Sequence, residues 1–261
     1  MGNIVRENIG AVAVVRINRP ERKNAMTEEM LQAFVDHLED IDRDKNVGAF
    51  VVTGTGDAFL SGLDVTKVTA KVSDMSPAMW RQFRELTTKQ FSTIQRSSKP
   101  SVAAINGPCV AGGFPVALAC DVRVASRTAY FKMGYRRVGL MPSTNICFLL
   151  PYMIGLGRAK LLALTDRRIE AEEAARIGLV EMVEEPDEML QTAVNLAQEM
   201  AAGAPLWVAI TKEAMNQAYG LDLDQRRRQV DYMQFMLGKT EDHVEAMGAF
   251  AEKRDPKFRG R

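Results

Sequence analysis

The sequence predicts an α/β fold in which a parallel sheet is flanked by helices, and three observations carry that prediction. Short β-branched, apolar runs alternate with segments whose apolar residues recur at helical spacing. Clusters of Gly, Asn and Pro separate them, as turns require. A hydrophobic content of 46% and a charged content of 26% are those of an ordinary globular chain of 261 residues.

Ile9 to Ile17 is β-branched and mostly apolar, hence a strand, broken by Asn18-Arg19-Pro20 and a polar loop from Glu21 to Ala25. Thr27 is placed to cap a helix whose apolar face is Met30, Leu31, Phe34, Leu38 and Ile41. Ala49 to Thr53 is a second strand, followed by Gly54-Thr55-Gly56-Asp57 and a further turn over Phe59 to Asp64. Val65 to Ser76 is polar and weakly patterned and reads as mobile. Pro77 suits a helix's first turn, and Trp80, Phe83, Leu86, Phe91 and Ile94 carry that helix to Ser97.

Ser101 to Ile105 is a short strand ended by Asn106-Gly107-Pro108. Cys109 to Gly113 then turns into an apolar helical segment, Pro115 to Cys120, closed by Asp121. Val122 to Ala125 and Tyr130-Phe131 are short strands, and Gly134 to Thr144 is an irregular loop. Ile146 to Leu156 and Ala159 to Leu164 are helical, Ala171 to Ile177 is a helix ended by Gly178, and Leu179 to Val183 is a last strand. From Asp187 only helices follow: Met189 to Ala201, Leu206 to Tyr219, Leu223 to Met236 and His243 to Lys253. Their apolar faces need cover, which a neighbouring subunit can give.

Charge excludes some function classes. With 34 basic and 33 acidic side chains the net charge is +1, so no strong field favours nucleic acid or an anionic membrane. Cys109, Cys120 and Cys147 have no metal-ligand spacing and are odd in number, which fits buried small residues in a reducing, cytoplasmic setting. No signal pattern opens the chain, and no apolar run approaches the roughly 20 residues that span a bilayer. With His37 and His243 as the whole histidine complement, neither histidine catalysis nor a zinc site is expected.

The chemistry-bearing stretch is Ala104 to Ala125. Its Gly112-Gly113 pair lets backbone or ligand approach closely, because no Cβ intervenes. Amides at such a turn suit a small developing negative charge, provided a second donor comes from elsewhere.

Four stretches in order now carry a family resemblance: Ile17 to Pro20 with Lys23-Asn24-Ala25; Phe59 to Asp64; Ile105 to Asp121; and Ala249 to Arg261. Along nearly its whole length the chain resembles the crotonase (enoyl-CoA hydratase/isomerase) superfamily. The resemblance implies a ββα-spiral core over residues 1–186 and a C-terminal helical trimerisation region over 187–261. It implies a homotrimer or a dimer of trimers, a coenzyme A thioester as substrate, and no cofactor beyond that coenzyme A. It also implies an oxyanion hole made by the Leu63 and Gly112 amides, with Lys23 and Ala25 along the coenzyme groove.

The resemblance then fails at informative positions. Where the family's hydratases carry two glutamates this chain has Pro115 and Tyr135, and where some isomerases carry an aspartate it has Ser143. Hydration or isomerisation needs a base, and Tyr135, with an ordinary pKa near 10, is a better acid than base. Loss of carbon dioxide from a malonyl-type thioester needs no base. Tyr135 and the Ser143–Asn145 loop are therefore the candidates for handling protons and orienting substrate. Asp64, Glu85, Glu241, Asp242 and Glu245 are the remaining possible bases, although Asp64 also suits a cap beside Leu63 and Glu85 a solvated helix face. Arg136-Arg137 suits a phosphate, a substrate carboxylate or plain solvent. Arg226-Arg227-Arg228 suits RNA or, given the neighbouring Asp222, Asp224 and Asp231, a salt-bridged face. Three functions stay open: a hydratase or isomerase with an unrecognised base, a malonyl-type decarboxylase or thioester hydrolase, and a non-catalytic acyl-CoA- or RNA-binding homologue.

Overall fold

The computed structural model describes residues 2–64, 66, 74–217 and 222–261. Most of the stretch expected to be mobile, and the expected helix end at Tyr219, lie outside the described residues.

The six-stranded sheet begins with a hairpin whose first strand the sequence reading missed, since the strand expected over Ile9 to Ile17 is β2 with its turn. β1 (Ile4–Ile9) and β2 (Val12–Ile17) pair antiparallel, with Ile9 opposite Val12. Gly10 makes the two-residue turn at φ +59°, where a side chain would be strained. The remaining strands, β3 (Ala49–Gly54), β4 (Ser101–Ile105), β6 (Val122–Ser126) and β9 (Met182–Glu184), run parallel to β2 in the order β1-β2-β3-β4-β6-β9. The parallel sheet is thus confirmed, with one antiparallel edge. A second sheet joins β5 (Cys109–Val110), β7 (Tyr130–Lys132) and β8 (Ile169–Glu170), the last too short to signal itself.

Side-chain alternation sorts the β2 residues to opposite faces. Val12 and Val14 join Val51, Val102 and Val124 against Ala193, Val194 and Ala197 of α7 (Met189–Ala201). Ala13, Val15 and Ile17 face the larger core with Phe34, Leu38 and Ile41 of α1 (Glu28–Arg43) and Phe91 and Ile94 of α2 (Pro77–Arg96). Thr27 and Ser76 cap these two helices by accepting from Met30 and Met79, so both starts follow from local chemistry. The short α3 (Gly113–Ala119) is buried throughout. α4 (Thr144–Ile154), α5 (Leu156–Thr165) and α6 (Ala171–Arg176) complete the core.

α8 (Pro205–Asn216), α9 (Leu223–Leu237) and α10 (Glu241–Glu252) follow. Neither α8 nor α9 buries a residue within the chain, and Trp207, Tyr232, Phe235 and Phe250 are exposed. Asp242 accepts from the amides of Arg259 and Gly260 at 2.6 and 2.8 Å and ties the C-terminal segment to α10. Among the described residues no helix is long and apolar enough to cross a membrane. Cys109 and Cys120 are buried as expected, whereas Cys147 lies exposed on α4, where its thiol reaches the Pro142 carbonyl.

One buried side chain fastens the loop before the site. Asn24, at φ +59°, donates to the carbonyls of Ala58 (2.6 Å) and Thr55 (3.0 Å) and accepts from the Arg19 amide at 2.9 Å. Asn24→Ala orphans these buried groups and should destabilise the fold by about 2–4 kcal/mol. Urea unfolding checks this, and a loss below about 1 kcal/mol would contradict it.

Candidate active site

Three backbone segments meet here. The first, Leu60 to Asp64, is held by two one-residue bridges. Met26 bonds the Gly62 carbonyl and the Asp64 amide at 2.8 and 2.9 Å, while Leu60 pairs with Cys109. In an extended chain successive amides point to opposite sides, so the Leu63 amide faces away from Met26. The second segment is Cys109 to Gly113. Ala111 adopts φ +48°, and its amide donates to the Lys132 carbonyl at 3.1 Å. The third runs from Lys132 to Tyr135, where Gly134 at φ +75° gives its amide to the buried Asp166 carboxylate at 2.6 Å.

The first two segments touch backbone to backbone. A Cβ on Gly113 would stand 2.1 Å from the Leu60 carbonyl oxygen, which excludes any side chain. One on Gly112 would stand 3.0 Å from the Gly62 Cα and 3.7 Å from the Leu63 nitrogen. The peptide groups of Leu63 and Gly112 are therefore neighbours. Among the described residues, neither amide has an acceptor.

Tyr135, Ser143 and Asn145 belong to the same region. Burial pushes the Tyr135 phenol above its ordinary value of 10, against opposing effects from Ser143 and the Arg84 guanidinium. It is protonated at neutral pH and can donate. The Asn145 side-chain amide nitrogen is buried with no partner among the described residues, while the Ser143 hydroxyl falls short of hydrogen-bond geometry but lies beside the Tyr135 phenol. An unmet buried polar group costs about 1–3 kcal/mol, so such an atom points to a ligand that completes it. Pro115 is buried in the first turn of α3, where its missing N–H disrupts nothing.

The candidate bases are held elsewhere. Asp64 accepts from Arg19 at 2.9 Å and from the Thr66 hydroxyl and amide at 2.5 and 3.2 Å. Those bonds, Thr66's foremost and Arg19's next, hold its carboxyl below the ordinary range. Glu85 is exposed and lines a cleft of about 710 Å³ between α1 and α2. Glu241 pairs with Arg261 at 2.8 Å, and Asp242 holds the C-terminal amides. Glu245 is brought down to about 2 by the Arg254 guanidinium and the Lys257 amide.

The remaining candidates sit on the surface. Lys23 is exposed and ion-paired with Asp57, while the Ala25 carbonyl accepts from Arg19 at 2.9 Å. Arg136 and Arg137 are exposed, with Arg136 on the Thr165 carbonyl, and His243 is exposed on α10. Arg227 faces Asp224 at 3.8 Å, the salt-bridged alternative. The sequence reading missed the roles of Arg19 and Asp166.

The family model described as enoyl-CoA hydratase/isomerase matches residues 7–261. A short-chain-enoyl-CoA hydratase of Clostridium acetobutylicum is 35% identical over 97% of this chain and 96% of that protein. A 1,2-epoxyphenylacetyl-CoA isomerase of Escherichia coli is 30% identical over 96% of this chain and 95% of its own. The crystal structure of an enoyl-CoA hydratase from Polaromonas sp. JS666 superposes with a TM-score of 0.93 at 28% identity, covering 99% of this chain and 100% of that one.

Asp64 should act as an ionic latch. Its folded pKa is depressed, so its stabilisation is complete above the unfolded value and fades as the pH falls through the folded one. Asp64→Asn should therefore lower the urea midpoint at pH 7, and the gap to wild type should close below about pH 4. A gap unchanged at pH 3 would mean that the charge does not matter.

Proposed function

Because the chain belongs to the enoyl-CoA hydratase/isomerase family, we propose that it binds an acyl-CoA thioester with the carbonyl oxygen between the Leu63 and Gly112 amides. The observation that carries this reading is the apposition of those two amides, neither of which has an acceptor among the described residues. Two such donors stabilise an enolate, and losing one raises the barrier of comparable reactions by about 3–4 kcal/mol. Tyr135, kept protonated by burial, supplies or steers the proton, and Ser143 and Asn145 orient the acyl group. Asp64 is a positioning residue: through Arg19 it fixes the backbone beside Leu63. Lys23 and Ala25 border the coenzyme's path. The exposed apolar residues of α8 to α10 pack on further copies, in a trimer or dimer of trimers.

A second feature selects among reactions. Asp64, Glu241, Asp242 and Glu245 are each engaged structurally, Glu85 is exposed in the cleft between α1 and α2, and Pro115, Tyr135 and Ser143 stand where the family's carboxylates are expected. This favours decarboxylation of a malonyl-type thioester over hydration. The bond from the α-carbon to the carboxylate breaks, its electron pair becomes the enolate, and carbon dioxide leaves. Tyr135 then gives a proton to the α-carbon and regains one from water.

Product masses from parallel incubations with methylmalonyl-CoA and crotonyl-CoA test this. Carbon dioxide loss from the first is expected, with hydration of the second slower by about a hundredfold or more for want of a positioned base. Fast hydration of crotonyl-CoA would overturn the decarboxylase reading. Turnover of neither would overturn both.

A further inference from the structure

We propose that Asp166 is a positioning residue for this site: its carboxylate, buried at the end of α5, fixes the aim of the Gly112 amide and the placement of Tyr135. This rests on the acyl-CoA reading of the site and adds the group that holds its donors in place.

Gly112 takes its direction from the residue before it. Its N–H belongs to the planar peptide group that follows Ala111, so the Ala111 backbone angles set where it points. Ala111 is left-handed at φ +48°, a conformation that crowds the Cβ of any residue but glycine. Its surroundings hold it there. Its amide donates to the Lys132 carbonyl at 3.1 Å, and its carbonyl accepts from the Phe114 amide at 3.2 Å. β5 and β7 pair here with Val110 opposite Lys132, and a Cβ on Gly134 would lie 3.4 Å from that of Ala111. The turn from Lys132 to Gly134 therefore buttresses Ala111.

Asp166 fastens that turn. Its Oδ1 accepts from the Gly134 amide at 2.6 Å, and its Oδ2 lies 3.7 Å from the Lys132 ammonium. The residue after Gly134 is Tyr135. Asp166 is 7% exposed and is the only acid between Thr128 and Ile169, so no neighbour in sequence can take its place. It is itself left-handed at φ +54°, where a glycine would end α5 without strain. The conformation alone gives no reason for a side chain here; the bond to Gly134 does. Ala111, Gly134 and Asp166, all in the left-handed region, are thus linked in one path that leads to Gly112 and Tyr135. Left-handed backbone held in this way by its surroundings marks functional sites.

The test reads the thioester carbonyl itself. Propionyl-CoA, isotopically labelled at that carbon, is bound to the protein and its C=O stretch recorded by infrared difference spectroscopy. In wild type, polarisation by two amides should move the stretch to lower frequency. Asp166→Gly suits the backbone, and Asp166→Ser has a side chain too short to reach the Gly134 amide. Both should still bind this thioester but lose most of the shift. With whichever of methylmalonyl-CoA and crotonyl-CoA the wild type turns over, their kcat should fall by about a hundredfold while KM changes little. Asp166→Asn, which keeps an acceptor oxygen, should restore most of the shift. A full shift in folded Asp166→Gly or Asp166→Ser overturns the inference and leaves the acyl-CoA reading standing. Failure of both variants to fold, checked by urea unfolding, also overturns it, because Asp166 would then act on stability alone. No binding by wild type, or binding without a shift, would overturn both.

Discussion

Two backbones meet here with no side chain between them. Gly62 and Leu63 lie against Ala111, Gly112 and Gly113 so closely that a Cβ on Gly113 would meet the Leu60 carbonyl oxygen at 2.1 Å. Only glycine fits such a contact. The rest of the core can be understood as holding these two segments in place. β4 and β6 deliver the second segment, Asn24 and Asn106 secure the loop that leads to the first, and Met26 bridges Leu63 from behind. Lys132 and Asp166 bind the turn and the Tyr135 loop to the same frame. Donors fixed in this way need little reorganisation when charge develops on an oxygen between them.

Charge placement follows a consistent division. Asp64 near the site and Glu241, Asp242 and Glu245 on α10 are committed to structure, and hydrogen bonds keep Asp64 and Glu245 ionised. The buried side-chain atoms left without a hydrogen-bond partner among the described residues are the Ser143 hydroxyl, the Asn145 amide nitrogen and the Gln90 side-chain oxygen. On the proposed reading, the Leu63 and Gly112 amides receive an oxygen atom and no carboxylate removes a proton. Protonation by a buried phenol completes that chemistry without requiring a strong base.

Much of this was legible in the sequence, because the signals were local. Thr27 and Pro77 announce helix starts, β-branched runs give β3, β4 and β6, and the Gly pair marks the contact point. β1 escaped because Arg6, Glu7 and Asn8 interrupt its apolar pattern; at the sheet's edge those side chains can reach solvent. β8 has two residues, too few for any period to show. At the candidate site, motif order singled out Leu63 and Gly112, whose peptide groups the structure brings together. Asp166 could not be found in this way, since it reaches Gly134 across 32 residues of chain.

The central claim is that the Leu63 and Gly112 amides share one thioester oxygen while no carboxylate of the chain reaches the α-carbon. A crystal structure of the protein with a slowly reacting malonyl-CoA analogue tests it most directly. The account predicts that oxygen at about 2.7–3.1 Å from both nitrogens, with Tyr135 facing the α-carbon. A thioester oxygen bound away from these amides, or an Asp or Glu in hydrogen-bond reach of the α-carbon, would contradict it.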